Sequence, residues 1–130
     1  KQVLASIEKN LLTSVGLYTL HPADSKFQKN YQGSQLLRDK SYHNGTIWPF
    51  LLGMYLDAWL DNYNESKSAV AYVVKVLEEF EQNLEENGLV YIPEIFEAST
   101  LRADGCISQA WSVATINSVM KRLERLEVKN

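Results

Sequence analysis

The sequence predicts an all-α fold of about four helices that alternate between outer and inner positions. Apolar residues recur at helical spacing in four segments, and no segment shows the alternation of a well-formed strand. The first and third segments carry charged faces, whereas the second and fourth carry almost no charge on any side. This order is typical of helical hairpins in two layers, as in an α/α toroid or superhelix.

The first two helices are predicted over residues 1–12 and 47–63. In the first, the apolar positions are Val3, Leu4, Ile7 and Leu11. The second, "PFLLGMYLDAWL", is apolar nearly all round, so we expect it to be an inner helix. Pro49 is tolerated in its first turn, where an N–H has no intrahelical partner, and Thr46 is the predicted N-cap.

The third and fourth helices are predicted over residues 66–87 and 108–126. The third has one apolar stripe and an acidic face, and Gly88 ends it, so it is an outer helix. The fourth has no charged residue from Ser108 to Met120, and we expect it to be buried on most sides. The segment "GLVYIPEIF" between them could form a short extended piece.

Composition and charge exclude several classes of function. The chain has 130 residues and a net charge of −3, so it offers no basic surface for nucleic acid. No apolar run is long enough to span a membrane, and the single cysteine, Cys106, fits a reducing, cytoplasmic location. His21 and His43 lie far apart in the sequence, so we expect no metal site, and nothing indicates a cofactor.

Two long loops, residues 13–45 and 88–107, precede the predicted inner helices and should therefore emerge at one end of the fold. Both mix aromatic rings with carboxylates and amides, a combination that suits sugar binding. The polar and aromatic candidates are Arg38, Asp39, Tyr42, His43, Asn44, Trp48, Tyr91, Glu94, Glu97, Arg102, Asp104, Gln109 and Trp111. Glycosidic bond cleavage needs two carboxyl groups, and Glu94 is the best single candidate, with Glu97 as its local rival.

Each candidate also has a purely structural interpretation. Glu94 could be a solvated loop charge, and His43 a hydrogen-bonded loop residue. Trp48 and Trp111 could belong to the core, and Cys106 is expected to pack as a small buried hydrophobe. Spacing alone does not decide between these interpretations and a binding site.

Three segments resemble the C-terminal part of amylo-α-1,6-glucosidases, the glucosidase portion of glycogen debranching enzymes. These are "LLTSVGLYTLHPAD", "RDKSYHNGTIWPFLLG" and "IPEIFEAS…DGCISQAWSVA", which occur in order between about Leu11 and Met120. The most specific pieces run from Tyr42 to Pro49 and from Gly105 to Ser112.

The resemblance implies a C-terminal portion of an (α/α)6 toroid that hydrolyses the α-1,6-linked glucose stub of glycogen or limit dextrin with inversion. It implies that Glu94 is the general base and that the catalytic acid is an aspartate upstream of Lys1. It further implies that the glucose subsite is lined by Tyr42, His43, Trp48, Gln109 and Trp111.

On this hypothesis residues 1–130 are a C-terminal fragment of a larger catalytic domain and are inactive alone. The expected partners are an α-glucan and the remainder of that domain. We also expect the isolated chain to self-associate, and we expect no binding to nucleic acid or membrane. Two alternatives remain open. One is another (α/α)6 glycosidase with a different α-glycoside specificity, and the other is a non-catalytic helical carbohydrate-binding or interaction module.

Overall fold

The computed structural model describes residues 1–128, which form five α-helices and five short β-strands. In chain order the elements are α1 (Gln2–Asn10), β1 (Leu12–Thr13), β2 (Gly16–Tyr18), α2 (Gln35–Tyr42), β3 (Ile47–Trp48), α3 (Pro49–Asn62), α4 (Lys67–Glu86), β4 (Ile95–Phe96), β5 (Ala103–Asp104) and α5 (Ala110–Glu127). The strands pair in sequence order into one sheet, and every pairing is antiparallel.

The prediction of an all-α chain, a toroid portion of about four alternating helices, is therefore wrong. The strands are two or three residues long, too short to show the period-two alternation that identifies a strand from sequence. The additional helix α2 was missed because it has no apolar stripe, and the residue it buries is Ser41.

The four predicted helices are present as α1, α3, α4 and α5, with ends that agree to about two residues. Pro49 occupies the first turn of α3 as expected, but the N-cap is Trp48 and not Thr46. The hydroxyl of Ser66 caps α4 by accepting a hydrogen bond from the Ala69 N–H at 3.3 Å. Beyond the end of α4, Gly88 adopts a positive φ of 66°, as a helix-ending glycine does.

The main core lies around α3, which packs against α4, α5 and β2. Its centre is formed by the buried residues Leu52, Leu56, Leu60, Val73, Phe80 and Val119. A second, smaller cluster of Val15, Ile47 and Phe96 lies at the sheet. The sheet therefore has its own buried contacts, which fix the loops at its edges.

Helix α5 is less buried than its composition predicts. One side packs against α3 through Ser112, Ile116, Val119 and Leu123. The other side is exposed at Trp111, Val113 and Met120, so the prediction that this helix is buried on most sides is wrong for this chain. The low charge of α5 had suggested burial, but within residues 1–128 only one face has a packing partner.

No helix within residues 1–128 is long and apolar enough to cross a membrane. In the same part of the chain, no three His, Cys, Asp or Glu side chains come together in a way that could hold a metal ion.

A single arginine links α5 to α3 and the turn that follows it. Asp57, Asp61 and Glu65 follow one another at four-residue intervals, which places three like charges side by side. Arg122, only 17% exposed in its side chain, contacts an oxygen of each carboxylate at 2.7 Å. These carboxylates raise the pKa of the guanidinium above its usual value, against the opposing effect of burial.

Replacing Arg122 with Leu should lower the free energy of unfolding by about 1.5 kcal/mol, because three neighbouring carboxylates lose their shared cation. Urea denaturation of the chain measures this loss. The control is Arg125→Leu at an exposed position of α5, which should change stability by less than about 0.5 kcal/mol. Salt at 1 M should reduce the difference in the free energy of unfolding between Arg122→Leu and the wild type, because it screens these charges. Equal losses of stability in Arg122→Leu and Arg125→Leu would contradict the prediction.

Candidate active site

The sheet joins the two long loops that the sequence marks as candidates. Strand β3 follows the segment containing Tyr42 and His43, and it pairs with β4 through Ile47 and Phe96. Strand β4 begins immediately after Glu94, so this pairing carries Glu94 towards Tyr42. The sequence prediction that both loops emerge at the same end of the molecule agrees with this arrangement.

Both carboxylate oxygens of Glu94 accept hydrogen bonds. The Tyr42 hydroxyl donates to Oε1, and the Cys106 N–H donates to Oε2 at 2.9 Å. The Glu94 N–H donates in turn to the Cys106 carbonyl at 3.0 Å, which fixes the two backbone segments together. The side chain is half-buried, so the carboxylate is both held and reachable.

The rival carboxylate, Glu97, has a different environment. It is only 4% exposed, and its oxygens accept hydrogen bonds from the Tyr31 N–H at 2.8 Å and the Thr100 hydroxyl at 2.7 Å. Arg102 lies 4.0 Å from it. Glu97 therefore connects two loop segments from the interior, whereas Glu94 is only half-buried.

A third nearby carboxylate, Asp104, forms a salt bridge with Arg102 at 2.9 Å and accepts a hydrogen bond from the Gly105 N–H. Each of its two oxygens is therefore held by a donor. Burial, followed by the charge of Asp104, raises the pKa of the neighbouring Tyr31. Asp104 and Glu97 are therefore both held by contacts with neighbouring loop residues.

Tyr42 connects Glu94 to a group of aromatic rings. Its ring lies edge-on to His43 and to Trp48, with centroids 4.8 Å away in each case. Burial raises the pKa of Tyr42, and the hydrogen bond to Glu94 raises it further. The hydroxyl is thus protonated at neutral pH and acts as a donor to the carboxylate.

Beyond Tyr42, a small cavity of about 160 Å³ opens between the starts of α3 and α5. It is lined by Thr19, His43, Trp48, Phe50, Leu51 and Trp111. Trp111 is 46% exposed and stacks on Phe50 with centroids 4.8 Å apart, so it presents an aromatic surface to solvent. Trp48 is 3% exposed, and its indole N–H donates to the Thr46 hydroxyl. Trp48 therefore forms a buried side of the cavity and does not present an open ring face to solvent.

The predicted residues thus form two connected groups. His43, Trp48 and Trp111 share the cavity, and Tyr42 joins them to Glu94. Gln109 instead caps α5: its side-chain oxygen accepts from the Ala110 N–H at 3.0 Å. Cys106 is exposed, which contradicts the expectation of a buried thiol, and its backbone N–H contacts Glu94.

Phe50 lines the cavity but is not among the site residues predicted from the sequence. A signal was available, because Phe50 and Trp111 are each the second residue of their helix. Since α3 and α5 pack against each other, aromatic residues at equivalent positions in their first turns are brought together. Thr19 and Leu51 carry no comparable signal, since their place at the cavity depends on the fold.

Comparison with known proteins identifies the relatives of this chain. The sequence model of the family described as amylo-alpha-1,6-glucosidase matches residues 1–118. The chain belongs to this family. The match includes Glu94, all the cavity residues and both of the specific motifs, and the resemblance seen in the sequence is therefore confirmed. The chain is a glucosidase region related to glycogen debranching enzyme and hence to glycoside hydrolases. No curated protein matches it.

Proposed function

We propose that residues 1–130 supply the general base and one wall of the glucose pocket in a debranching α-1,6-glucosidase. The reaction is the inverting hydrolysis of the α-1,6-linked glucosyl stub left at a branch point of glycogen or limit dextrin. The observation that carries the proposal is the state of Glu94, which is half-buried, hydrogen-bonded at both oxygens and joined through Tyr42 to the aromatic cavity.

In this reaction Glu94 takes a proton from a water molecule as that water attacks the anomeric carbon. Hydrogen bonds from Tyr42 and Cys106 hold the carboxylate group, whose charged form is the one that can accept a proton. Each oxygen of a carboxylate has two lone pairs, so one hydrogen bond at each leaves a second lone pair for the water.

An inverting enzyme also needs an acid that protonates the leaving oxygen, about 6.5–9.5 Å from the base. Glu97 is buried and hydrogen-bonded, and Asp104 forms a salt bridge with Arg102, so we assign this role to neither. We propose that the acid belongs to a preceding part of a larger catalytic domain, of which this chain is the C-terminal part. The apolar side chains of Val113 and Met120, which are exposed on α5, support a further packing partner of this kind.

The aromatic cavity is the proposed glucose subsite. The apolar face of a sugar ring packs well on an aromatic ring, and the exposed Trp111 stacked on Phe50 offers such a surface. His43 provides a hydrogen-bonding group at the same cavity. The α-glucan is the proposed partner, and its hydroxyl groups are the chemistry that such a pocket recognises.

Glucose release by the full-length protein that contains residues 1–130 tests this proposal. Phosphorylase-limit dextrin should be hydrolysed, and proton NMR during the first minutes should show β-glucose, the product of inversion. Nigerose and trehalose are the comparison substrates. Release from these two but not from limit dextrin would assign a different α-glucosidase, initial α-glucose would exclude the base role, and binding without hydrolysis would indicate a carbohydrate-binding module.

A further inference from the structure

Tyr42 makes three contacts that do not involve its hydroxyl group, two at its backbone carbonyl and one at its ring. It is the last residue of α2, and its carbonyl accepts hydrogen bonds from the Thr46 hydroxyl at 2.6 Å and the Trp48 indole N–H at 3.2 Å. Its ring packs edge-on against Trp48. The hydroxyl group that reaches Glu94 is therefore carried on a residue whose backbone carbonyl and ring both have contacts that position them.

The opposite side of the Glu94 carboxylate is fixed by backbone and not by a side chain. The Cys106 N–H donates to Oε2, and the preceding residue is a glycine at φ +72°. A Cβ atom at Gly105 would lie 2.5 Å from Oε2 and 3.2 Å from the carboxyl carbon. Only a residue without a side chain leaves room for the carboxylate in this orientation.

We propose that Tyr42 is a positioning residue for the general base, and that its hydroxyl, with the Gly105–Cys106 backbone, clamps the Glu94 carboxylate in one orientation. This inference rests on the proposed role of Glu94 and changes the expected role of Tyr42, whose hydroxyl group serves Glu94 and not the sugar. A base that is held in place before the substrate binds keeps the attacking water aligned with the anomeric carbon. Gly105 has no functional group of its own and acts only through the space it leaves.

Tyr42→Phe tests the clamp, because it removes the hydroxyl group and keeps the ring contacts. In the full-length protein, kcat for limit dextrin should fall about 10- to 100-fold, the range expected for losing a hydrogen bond to a charged group. KM should stay within about twofold, since the aromatic cavity is unchanged.

The ring of Tyr42 also contacts Tyr31 and His43. The proposed clamp does not involve the imidazole, so the fall in kcat caused by Tyr42→Phe should persist when both proteins also carry His43→Asn.

Gly105→Ala provides an independent test with a matched control. Gly88 has a similar positive φ of 66°, but a Cβ there would meet nothing within 4 Å. Alanine at either position strains the backbone, whereas only alanine at Gly105 displaces Glu94. We expect kcat to fall at least tenfold in Gly105→Ala and to stay within about twofold in Gly88→Ala, at a temperature where both are folded.

The outcomes separate this inference from the proposed function. A rise in KM with unchanged kcat in Tyr42→Phe would assign Tyr42 to sugar binding and overturn the clamp. A lower melting temperature with normal kcat and KM would show that Tyr42 has only a structural role, and would also overturn the clamp. If Glu94→Gln itself retained full activity, the proposed function would fail, whatever the Tyr42 result.

Discussion

Replacing Glu94 with Gln in the full-length protein should lower kcat for glucose release from limit dextrin by about 10²- to 10⁴-fold, the usual contribution of a general base. The amide cannot take a proton from water, and nothing else at the position changes in size. KM should change little, because the aromatic cavity that would hold the glucose is separate from the carboxylate. Steady-state release of glucose measures both constants.

The structure indicates that this variant folds normally. The amide introduced by Glu94→Gln could accept the Cys106 N–H through its oxygen and donate its N–H to the Tyr42 hydroxyl oxygen, since a phenol both donates and accepts. A loss of activity in Glu94→Gln therefore reports on proton transfer and not on a collapsed loop. Near-UV circular dichroism and the melting temperature should match those of the wild type.

Glu97→Gln is the matched control, three residues away on the other side of β4. Its side chain is buried and hydrogen-bonded to Tyr31 and Thr100, so the substitution should lower stability by about 1 kcal/mol. Activity at a temperature well below unfolding should remain within about threefold of the wild type. Equal losses of kcat in both variants would remove the distinction between the two glutamates, and a fully active Glu94→Gln would exclude Glu94 as the base.

Long periodic segments made the helices predictable from the sequence. Helix α4 has both an apolar stripe and an exposed acidic face, and its capping residue and stop at Gly88 are visible in the residues themselves. Helix α3 is marked by the proline in its first turn and by its apolar length. These features are local, so a window of sequence contains all the information that determines them.

The sheet could not be predicted in the same way, because each strand is defined by its partner. Ile47 and Phe96 form a pair across 49 positions of sequence (96 − 47), and neither segment is long enough to show alternation. The contact between Tyr42 and Glu94 depends on this pairing. Sequence reasoning therefore placed the two residues at one end of the molecule but could not predict that one would hold the other.

Burial was the property that composition predicted least well. Few charges on α5 suggested a helix covered on most sides, yet Trp111 and Met120 are exposed. Glu97 is the opposite case, since a residue type that is usually exposed is buried here and accepts hydrogen bonds from Tyr31 and Thr100. Both cases depend on the position of distant chain segments, which the residue types alone do not encode.

Gly53→Ala should destabilise the chain by about 2 kcal/mol, although alanine is intrinsically the better helix former by about 1 kcal/mol. Helices α3 and α5 cross closely here, and the Thr115 hydroxyl donates to the Phe50 carbonyl at 3.1 Å. A Cβ at Gly53 would lie 2.6 Å from the Thr115 carbonyl carbon, an atom that no side-chain rotation can move. The helices must therefore separate, and the loss of packing exceeds the gain in propensity.

The same displacement should reach the cavity, because Phe50 and Trp111 lie one turn before the crossing on α3 and α5. Urea denaturation should show the loss of stability. Quenching of Trp111 fluorescence by acrylamide should increase; for this measurement the other two tryptophans are replaced by Phe in both the wild type and Gly53→Ala. Met54→Ala, at the adjacent exposed position of α3, is the control and should change stability by less than about 0.5 kcal/mol. If Gly53→Ala were instead more stable than the wild type, the gain in helix propensity would exceed the loss of packing. The close crossing of α3 and α5 would then not be what positions Phe50 and Trp111 at the cavity.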